Sequence, residues 1–372
     1  MEELENLMLK LETPAYILDL NRVKENVRKI TSSITYPNFQ IHYAMFCNDN
    51  KELLKFLKEL GLGVLILNEN EFETALMLGF SKDRIHLTGG TFTKDRLESV
   101  LSYGVDVNVD SLRQLELIGE IRQSTNVGLR IKLFGDGVVG AGEGISPQDI
   151  EQAKEIAKQS NIGISGLQTY IGTNTLDEQR YLDTIKLLIN LRNRFPNIRY
   201  LNVGGGFGIP YSFKDRSFDW KTFGEQASNL FEQMGDSKIQ FKMEPGRSIV
   251  GDAGYFLTRV IEKRNDDTLV VDAPYTNFAR PFVYHTNHRV RCLGKNSDKR
   301  KFAIRGCSIN SKDYLSHKEF TGDIAELPTN IQEGDVLCFS DVGAYSPVMQ
   351  MDFLHYDRAK TICIENSGQG ST

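Results

Sequence analysis

Eight short β-type runs, each but the last followed by a helix-type segment, fill residues 40 to 250, and this alternation constrains the fold more than any other feature of the chain. The runs are Ile41–Ala44, Gly63–Leu67, Arg84–Thr88, Val105–Val109, Val127–Lys132, Ile164–Tyr170, Arg199–Val203 and Ile239–Glu244. Gly63–Leu67 is apolar throughout, as a strand buried on both faces of a parallel sheet should be. The intervening segments Lys51–Leu60, Asn70–Leu78, Thr93–Tyr103, Ser111–Arg122, Ser146–Gln159, Leu176–Phe195 and Trp220–Met234 read as helices. A doubly wound open sheet is the competing topology. The number of strands and the stretch they occupy favour a (β/α)8 barrel, a fold of about 250 residues.

After Asp252 the texture changes. Tyr255–Ile261, Leu269–Asp272, Val290–Leu293, Phe302–Ile304, Val336–Phe339 and Thr361–Ile364 are short β-type runs separated by turn-rich pieces such as Lys295-Asn-Ser-Asp-Lys. This predicts an all-β domain. The expected division is a barrel over 24–252 and a β-domain over 253–372, joined by residues 1–23 through the run Ala15–Leu18. The tail Asn366-Ser-Gly-Gln-Gly-Ser-Thr reads as a disordered end.

Charge narrows the partners. The net charge of −5 and the pI near 5.8 provide no basic field for nucleic acid or an anionic membrane. The acidic start Met1-Glu-Glu-Leu-Glu lacks a signal-peptide pattern, and no apolar stretch is long enough to span a bilayer. The five cysteines (Cys47, Cys292, Cys307, Cys338, Cys363) are scattered and odd in number, without metal-site or disulfide spacing. The expectation is a cytoplasmic protein with small-molecule partners and no metal.

Three constellations carry chemistry. Gly204-Gly205-Gly206-Phe207-Gly208 follows the seventh strand, where backbone amides in a barrel commonly cradle a phosphate. The same run also suits a tight turn that needs positive φ. Glu244-Pro245-Gly246-Arg247 ends the eighth strand and puts a carboxylate and a guanidinium beside that loop. These two groups suit a heterocycle nitrogen and a phosphate, or an internal ion pair closing the barrel end. Gly343-Ala344-Tyr345 follows a strand of the β-domain, and on its own Tyr345 reads as a packed aromatic.

In order and spacing these motifs resemble the fold-type III pyridoxal 5′-phosphate (PLP) decarboxylases, the ornithine/diaminopimelate decarboxylase family. The likeness extends to Thr13-Pro14-Ala15-Tyr16, to Asn108-Val109-Asp110-Ser111, to Leu129-Arg130-Ile131 and to Asp272 with Arg280-Pro281 and Tyr284. It implies an alanine racemase-like barrel plus β-domain, a homodimer with a shared active site, and an amino-acid substrate. By position, Gly204, Gly205, Gly206, Gly246, Arg247 and Tyr345 would hold the cofactor phosphate, and Glu244 the pyridine nitrogen. Asp313 would contact substrate from the partner subunit, and Arg280 would meet a substrate carboxylate.

The departures are equally informative. Ile41-His-Tyr-Ala-Met-Phe46-Cys-Asn48 resembles the family's Tyr-Ala-x-Lys-x-Asn segment, with Phe46 in place of the lysine that carries PLP as an imine. Phenylalanine cannot form one. Tyr170 stands where the family has a histidine stacked on the cofactor, Ile309 where it has a cysteine, and Leu65 near an expected aspartate. Lys132 and Lys242 are candidate replacement amines, although a salt bridge inside the barrel mouth is the simpler explanation of each. The leading reading is a PLP-dependent amino-acid decarboxylase with altered chemistry and noncovalently held cofactor. The alternatives are a noncatalytic homologue that binds a partner, and a barrel for another phosphorylated ligand.

Overall fold

The computed structural model describes residues 2–89, 93–133, 143–212 and 214–365. The tail 366–372, read above as a disordered end, lies outside the described residues. Two compact units emerge: one contains residues 25–210 and 216–248, the other residues 1–24, 211–215 and 249–372. Strands are numbered along the chain, beginning with β1 (Ala15–Asp19) in the second of these units.

The first unit is the barrel. Its strands are β2 (Phe39–Ala44), β3 (Gly63–Ile66), β4 (Ile85–Thr88), β5 (Asp106–Val109), β6 (Asn126–Arg130), β7 (Gly163–Gln168), β8 (Tyr200–Asn202) and β9 (Gln240–Met243). All pair in parallel, and β9 returns to β2 with Phe39 opposite Phe241, which closes the sheet and excludes the open one. Five of the eight strands, β3, β6, β7, β8 and β9, end one or two residues earlier than their runs, so Glu244 and Tyr170 lie just past their strand ends. A helix over Leu20–Ser33 precedes the barrel and was not read from the sequence. Asp19 accepts from the amides of Asn21 and Arg22 and so starts it.

The barrel interior is unusually polar. Branched aliphatic layers are the rule inside such barrels, yet His42, His86, Asn108, Gln168, Asn202, Lys242 and Glu244 are all buried here. Two glycines make this possible. A Cβ on Gly166 would sit 2.0 Å from the Tyr200 ring, and one on Gly128 2.2 Å from the Tyr200 hydroxyl. Tyr200 fills the space that β6 and β7 leave open.

Helix starts repeat one device. Asn68 accepts from the amide of Glu71 while the Glu71 carboxylate accepts from the amide of Leu67 at 2.6 Å. Two βα units later, Ser111 and Gln114 make the same reciprocal pair, with Asp110 as donor. The charge is what differs. Burial, helped by Asp49 and opposed by the Leu67 amide, pushes the Glu71 carboxyl up to about 7. A raised carboxyl pKa means the folded state binds the extra proton. That contribution to stability is present at low pH and is lost as pH rises from about 4.5 to about 7. Glu71→Gln keeps the acceptor and removes the charge. It should stabilise the protein by about 1 kcal/mol above pH 7 and by almost nothing near pH 4. Denaturant melts at both pH values check this, and equal melts of the two proteins above pH 7 would refute it.

The second unit is built on a nine-stranded sheet. It adds β10 (Gly254–Lys263), β11 (Thr268–Val271), β12 (Val290–Cys292), β13 (Lys299–Arg305), β14 (Tyr314–Ser316), β15 (Ala325–Pro328), β16 (Val336–Ser340) and β17 (Lys360–Ile364). β14 and β15 are too short and irregular to stand out in sequence. β1 joins this sheet, antiparallel to β10 and parallel to β17. Its core holds Tyr16, Phe256, Phe278, Phe302 and Phe339, with Phe256 and Phe278 stacked at 4.9 Å. Among the described residues no helix is long and apolar enough to cross a membrane.

Candidate active site

Polar side chains gather at the C-terminal ends of the barrel strands, around Glu244. Its carboxylate is 3% exposed and accepts from Asn202 Nδ2 at 2.7 Å, Gln168 Nε2 at 3.0 Å and Thr88 Oγ1 at 3.2 Å. Burial pushes the Glu244 carboxyl up, while the Asn202 bond, the Arg130 charge and the other two bonds hold the rise back. Arg130, at the end of β6, also stacks its guanidinium 5.6 Å from the Tyr170 ring centre. The Tyr170 hydroxyl pairs with Thr173 at 2.8 Å.

The glycine run is tied to the same carboxylate. Asn202 Oδ1 accepts from the Gly204 amide, and the Glu244 amide donates to the Gly204 carbonyl, each at 2.8 Å. Gly204 and Gly206 have φ of 72° and 89°. A Cβ would lie 2.1 Å from the Thr169 carbonyl at Gly204, 2.4 Å from the Glu244 carbonyl at Gly205 and 2.0 Å from the Gly172 carbonyl at Gly206. Each obstacle is backbone, so none of these positions tolerates a side chain. The carbonyls of Gly204, Gly205 and Gly206 are taken by the Glu244 amide, the Tyr181 hydroxyl and the Thr175 amide. Among the described residues the amides of Gly205 and Gly206 donate to no protein acceptor. Bound carbonyls and available amides are the polarity that an anion requires.

Phe46 is half-buried in the short turn Met45–Cys47 that follows β2. This turn packs on Pro245-Gly246: the Ala44 amide donates to the Pro245 carbonyl at 3.4 Å, and a Cβ on Gly246 would lie 2.8 Å from Cys47 Cβ. Arg247 follows, buried. The barrel thus brings Phe46, Tyr170, Gly204, Gly205, Gly206, Glu244, Gly246 and Arg247 to the C-terminal ends of its strands.

Among the described residues, four buried polar atoms at this end have no hydrogen-bond partner: Arg130 Nε, Gln168 Oε1, Thr169 Oγ1 and Ser248 Oγ. Unsatisfied buried groups are costly and clustered ones mark a ligand's place. They flank Glu244, the glycine run and Arg247, which suits a heteroaromatic ring carrying a phosphate. The residues present therefore fit the ring and phosphate of PLP, while Phe46 offers no amine.

Of the two candidate replacement amines, Lys242 does not point to this site. Lys242 is directed toward the opposite end of the barrel, where its Nζ pairs with Asp106 Oδ2 at 2.7 Å and lies 4.2 Å over the Tyr200 ring. The salt-bridge reading holds for it. Lys132 follows β6, its amide donating to the Ile145 carbonyl at 2.9 Å.

The other three site candidates belong to the second unit. Arg280 is buried, with Nη1 2.6 Å from His288 Nε2 and its guanidinium 5.1 Å from the Tyr211 ring centre. Tyr345 has φ of 68°, a strained value for an aromatic residue and a mark of positional constraint. Asp313 is fully buried, and its two oxygens accept from the amides of Tyr275 and Ser308, each at 2.7 Å. Within this chain its carboxylate ties its loop to the segment at Tyr275. Ile309, in that loop, is 94% exposed.

Sequence reading overlooked Thr88, Arg130, Gln168 and Asn202 as site residues. The available signal was positional: each is the polar last residue of its barrel strand, where barrel enzymes place functional groups.

Residues 20–251 match the family model described as the pyridoxal-binding domain of pyridoxal-dependent decarboxylases. The diaminopimelate decarboxylase of Methanothermobacter thermautotrophicus is 31% identical over 369 residues, covering 92% of this chain and 84% of that protein. That of Aquifex aeolicus is 27% identical, covering 98% and 89%. A crystal structure from Aquifex aeolicus superposes with a TM-score of 0.86 at 26% identity over 98% of this chain and 89% of that one. The Helicobacter pylori diaminopimelate decarboxylase complexed with L-lysine gives the same TM-score at 22% identity, covering 97% and 94%. With its closed parallel barrel, its β-rich second unit and a polar cluster suited to PLP, this chain belongs to the pyridoxal-dependent decarboxylase family, in the alanine racemase-like fold.

Proposed function

We propose that this protein is a PLP-dependent amino-acid decarboxylase that binds its cofactor through noncovalent contacts, because Phe46 occupies the place of the anchoring lysine. The observation that carries the reading is the set of buried, unpartnered polar atoms around Glu244, beside a glycine run with available amides. Residues 24–252 act as the cofactor domain. The amides of Gly205 and Gly206, together with Gly204, Gly246, Arg247 and Tyr345, take the phosphate. Glu244 takes the pyridine nitrogen, and Tyr170, backed by Arg130, lies beside the ring.

When bound, PLP supplies an electron sink for the electron pair that remains on the substrate carbon as carbon dioxide departs. The chain's residues set the conditions. Glu244 holds a proton at the ring nitrogen, and its own proton affinity is kept within reach by three donors and by Arg130. The buried strand ends exclude water from that proton. To Arg280, whose guanidinium contacts His288 and Tyr211, we assign the role of meeting a substrate carboxylate. We propose an α-amino acid with a second, distal carboxylate, the chemistry of the diaminopimelate for which the relatives are named. A homodimer in the cytoplasm completes the proposal, with the loop that Asp313 clasps as the element offered to the partner subunit.

One observation favours a second reading, a noncatalytic homologue that binds a partner or a phosphorylated small molecule. Phe46 offers no amine, and Lys242 is committed to Asp106. Incubation with PLP, borohydride reduction and intact-mass analysis, alongside desalting without reduction, separate the two. The expected result is cofactor retained on desalting, no reduced adduct on Lys242, and carbon dioxide released from an added amino diacid. Neither retention nor release would leave the noncatalytic reading standing.

A further inference from the structure

A polar ladder runs along the inside of the barrel and ends on Glu244. At its base the Lys242 ammonium lies 4.2 Å over the face of Tyr200. The Tyr200 hydroxyl donates to Asn108 Oδ1 at 2.6 Å. Asn108 Nδ2 donates to Thr88 Oγ1 at 2.8 Å and also lies 2.5 Å from His86 Nε2. Thr88 Oγ1 in turn donates to Glu244 Oε1 at 3.2 Å. Tyr200, Asn108 and Thr88 are fully or almost fully buried, and every donor in the series points toward the carboxylate.

The barrel is built around this series. A Cβ on Gly128 would lie 1.9 Å from Asn108 Oδ1, and one on Gly166 would enter the Tyr200 ring. Five strands, β4, β5, β6, β7 and β8, therefore contribute either a ladder residue or the room for one. Aligned hydrogen bonds in a low-dielectric interior polarise one another, so a donor series ending on a carboxylate strengthens its last bond. The other two bonds to Glu244, from Asn202 and Gln168, do not belong to the series.

We propose that Thr88, Asn108 and Tyr200 are positioning residues that orient Glu244 and favour its ionised form, so that the proton it shares with the cofactor ring stays on the ring nitrogen. This deepens the functional reading above and rests on it. The charged groups facing Glu244 from its packed neighbours are Arg130 and Lys242, and the ladder acts alongside both. The role assigned to each ladder member is exerted through Glu244.

The test uses the full chain with added PLP and two readouts: the dissociation constant by spectral titration, and the nitrogen NMR signal of ring-labelled PLP. Thr88→Val, which keeps the shape and removes the hydroxyl, should weaken binding roughly tenfold and move the ring signal toward the unprotonated position. Thr88→Ser should restore both. Tyr200→Phe, two steps further down, should shift the signal in the same direction by less. In a Glu244→Gln background, Thr88→Val should add nothing, since residues that act through one partner are not additive. Wild-type affinity and an unchanged ring signal in Thr88→Val would overturn the ladder while leaving PLP binding intact. Full additivity with Glu244→Gln would overturn it as well. Failure of the unaltered protein to bind PLP would overturn the functional reading, and this inference with it.

Discussion

Phe46→Lys is expected to turn a noncovalent PLP site into a covalent one. The variant, reduced with borohydride in the presence of PLP, should carry a pyridoxyl group at residue 46, whereas the unaltered chain carries none there. The turn Met45–Cys47 is held against Pro245-Gly246, and Glu244 and Arg247 flank that segment. An amine on residue 46 would thus start from the turn nearest the ring and phosphate contacts. An imine adds several kcal/mol to noncovalent binding, so retention of PLP should improve roughly a hundredfold or more. Any decarboxylation should rise by decades, since covalent activation and a positioned base each supply large factors. Peptide mapping after reduction checks the site. A Phe46→Lys protein that binds PLP as weakly as before and yields no adduct would show that residue 46 does not correspond to the family's lysine.

The second large effect concerns stability. Lys242 is 3% exposed and its carboxylate partner Asp106 is 36% exposed, so the lysine is the member dependent on the pair. Burial lowers the Lys242 pKa, and Asp106 opposes that fall. Asp106→Ala leaves a buried ammonium with the Tyr200 face and the Glu244 charge but no ion-pair partner in contact among the described residues, and breaking such a pair costs about 3–5 kcal/mol. The melting temperature should fall by roughly 10 °C. The sign with pH follows from proton counting. Without Asp106 the folded pKa of Lys242 drops further below its unfolded value, so the unfolded chain binds more protons between the two. Stability of the variant therefore rises with pH across that window, and the deficit is greatest below it. Asp106→Leu combined with Lys242→Met should recover most of the loss, because an apolar pair carries no desolvation cost. An Asp106→Ala protein within 1 kcal/mol of wild type would contradict the pair's importance.

Much of this was legible in the sequence, and what was not has physical reasons. The alternation of apolar runs identifies the barrel because parallel strands buried on both faces must be apolar in series. The glycine run and Glu244-Pro245-Gly246-Arg247 were visible because backbone approach and paired charge need particular residue types at adjacent positions. Thr88, Gln168 and Asn202 were not, since a polar residue closing a strand is commonplace until a closed sheet brings it against Glu244. Lys242 shows the limit of strand parity. It shares a face with Glu244, yet the length of its side chain and the position of Asp106 direct its charge to the other end of the barrel. Asp313 was legible as an acidic residue in a loop, but only the fold shows its carboxylate occupied by the amides of Tyr275 and Ser308.

The placement of β1 imposes an order on biosynthesis. This strand leaves the ribosome before any of the barrel, yet its neighbours are β10 and β17, and Ala15 lies opposite Lys360. Barrel units pair mostly with their immediate successors and can accumulate as the chain emerges, whereas β1 must wait with an unpaired edge until β17 has been made. Contacts so distant in sequence form slowly, and an unpaired strand invites other chains. A nascent chain stalled before β17 would hold a complete set of barrel strands beside a sheet whose β1 edge is still open, a state exposed to pairing with other chains.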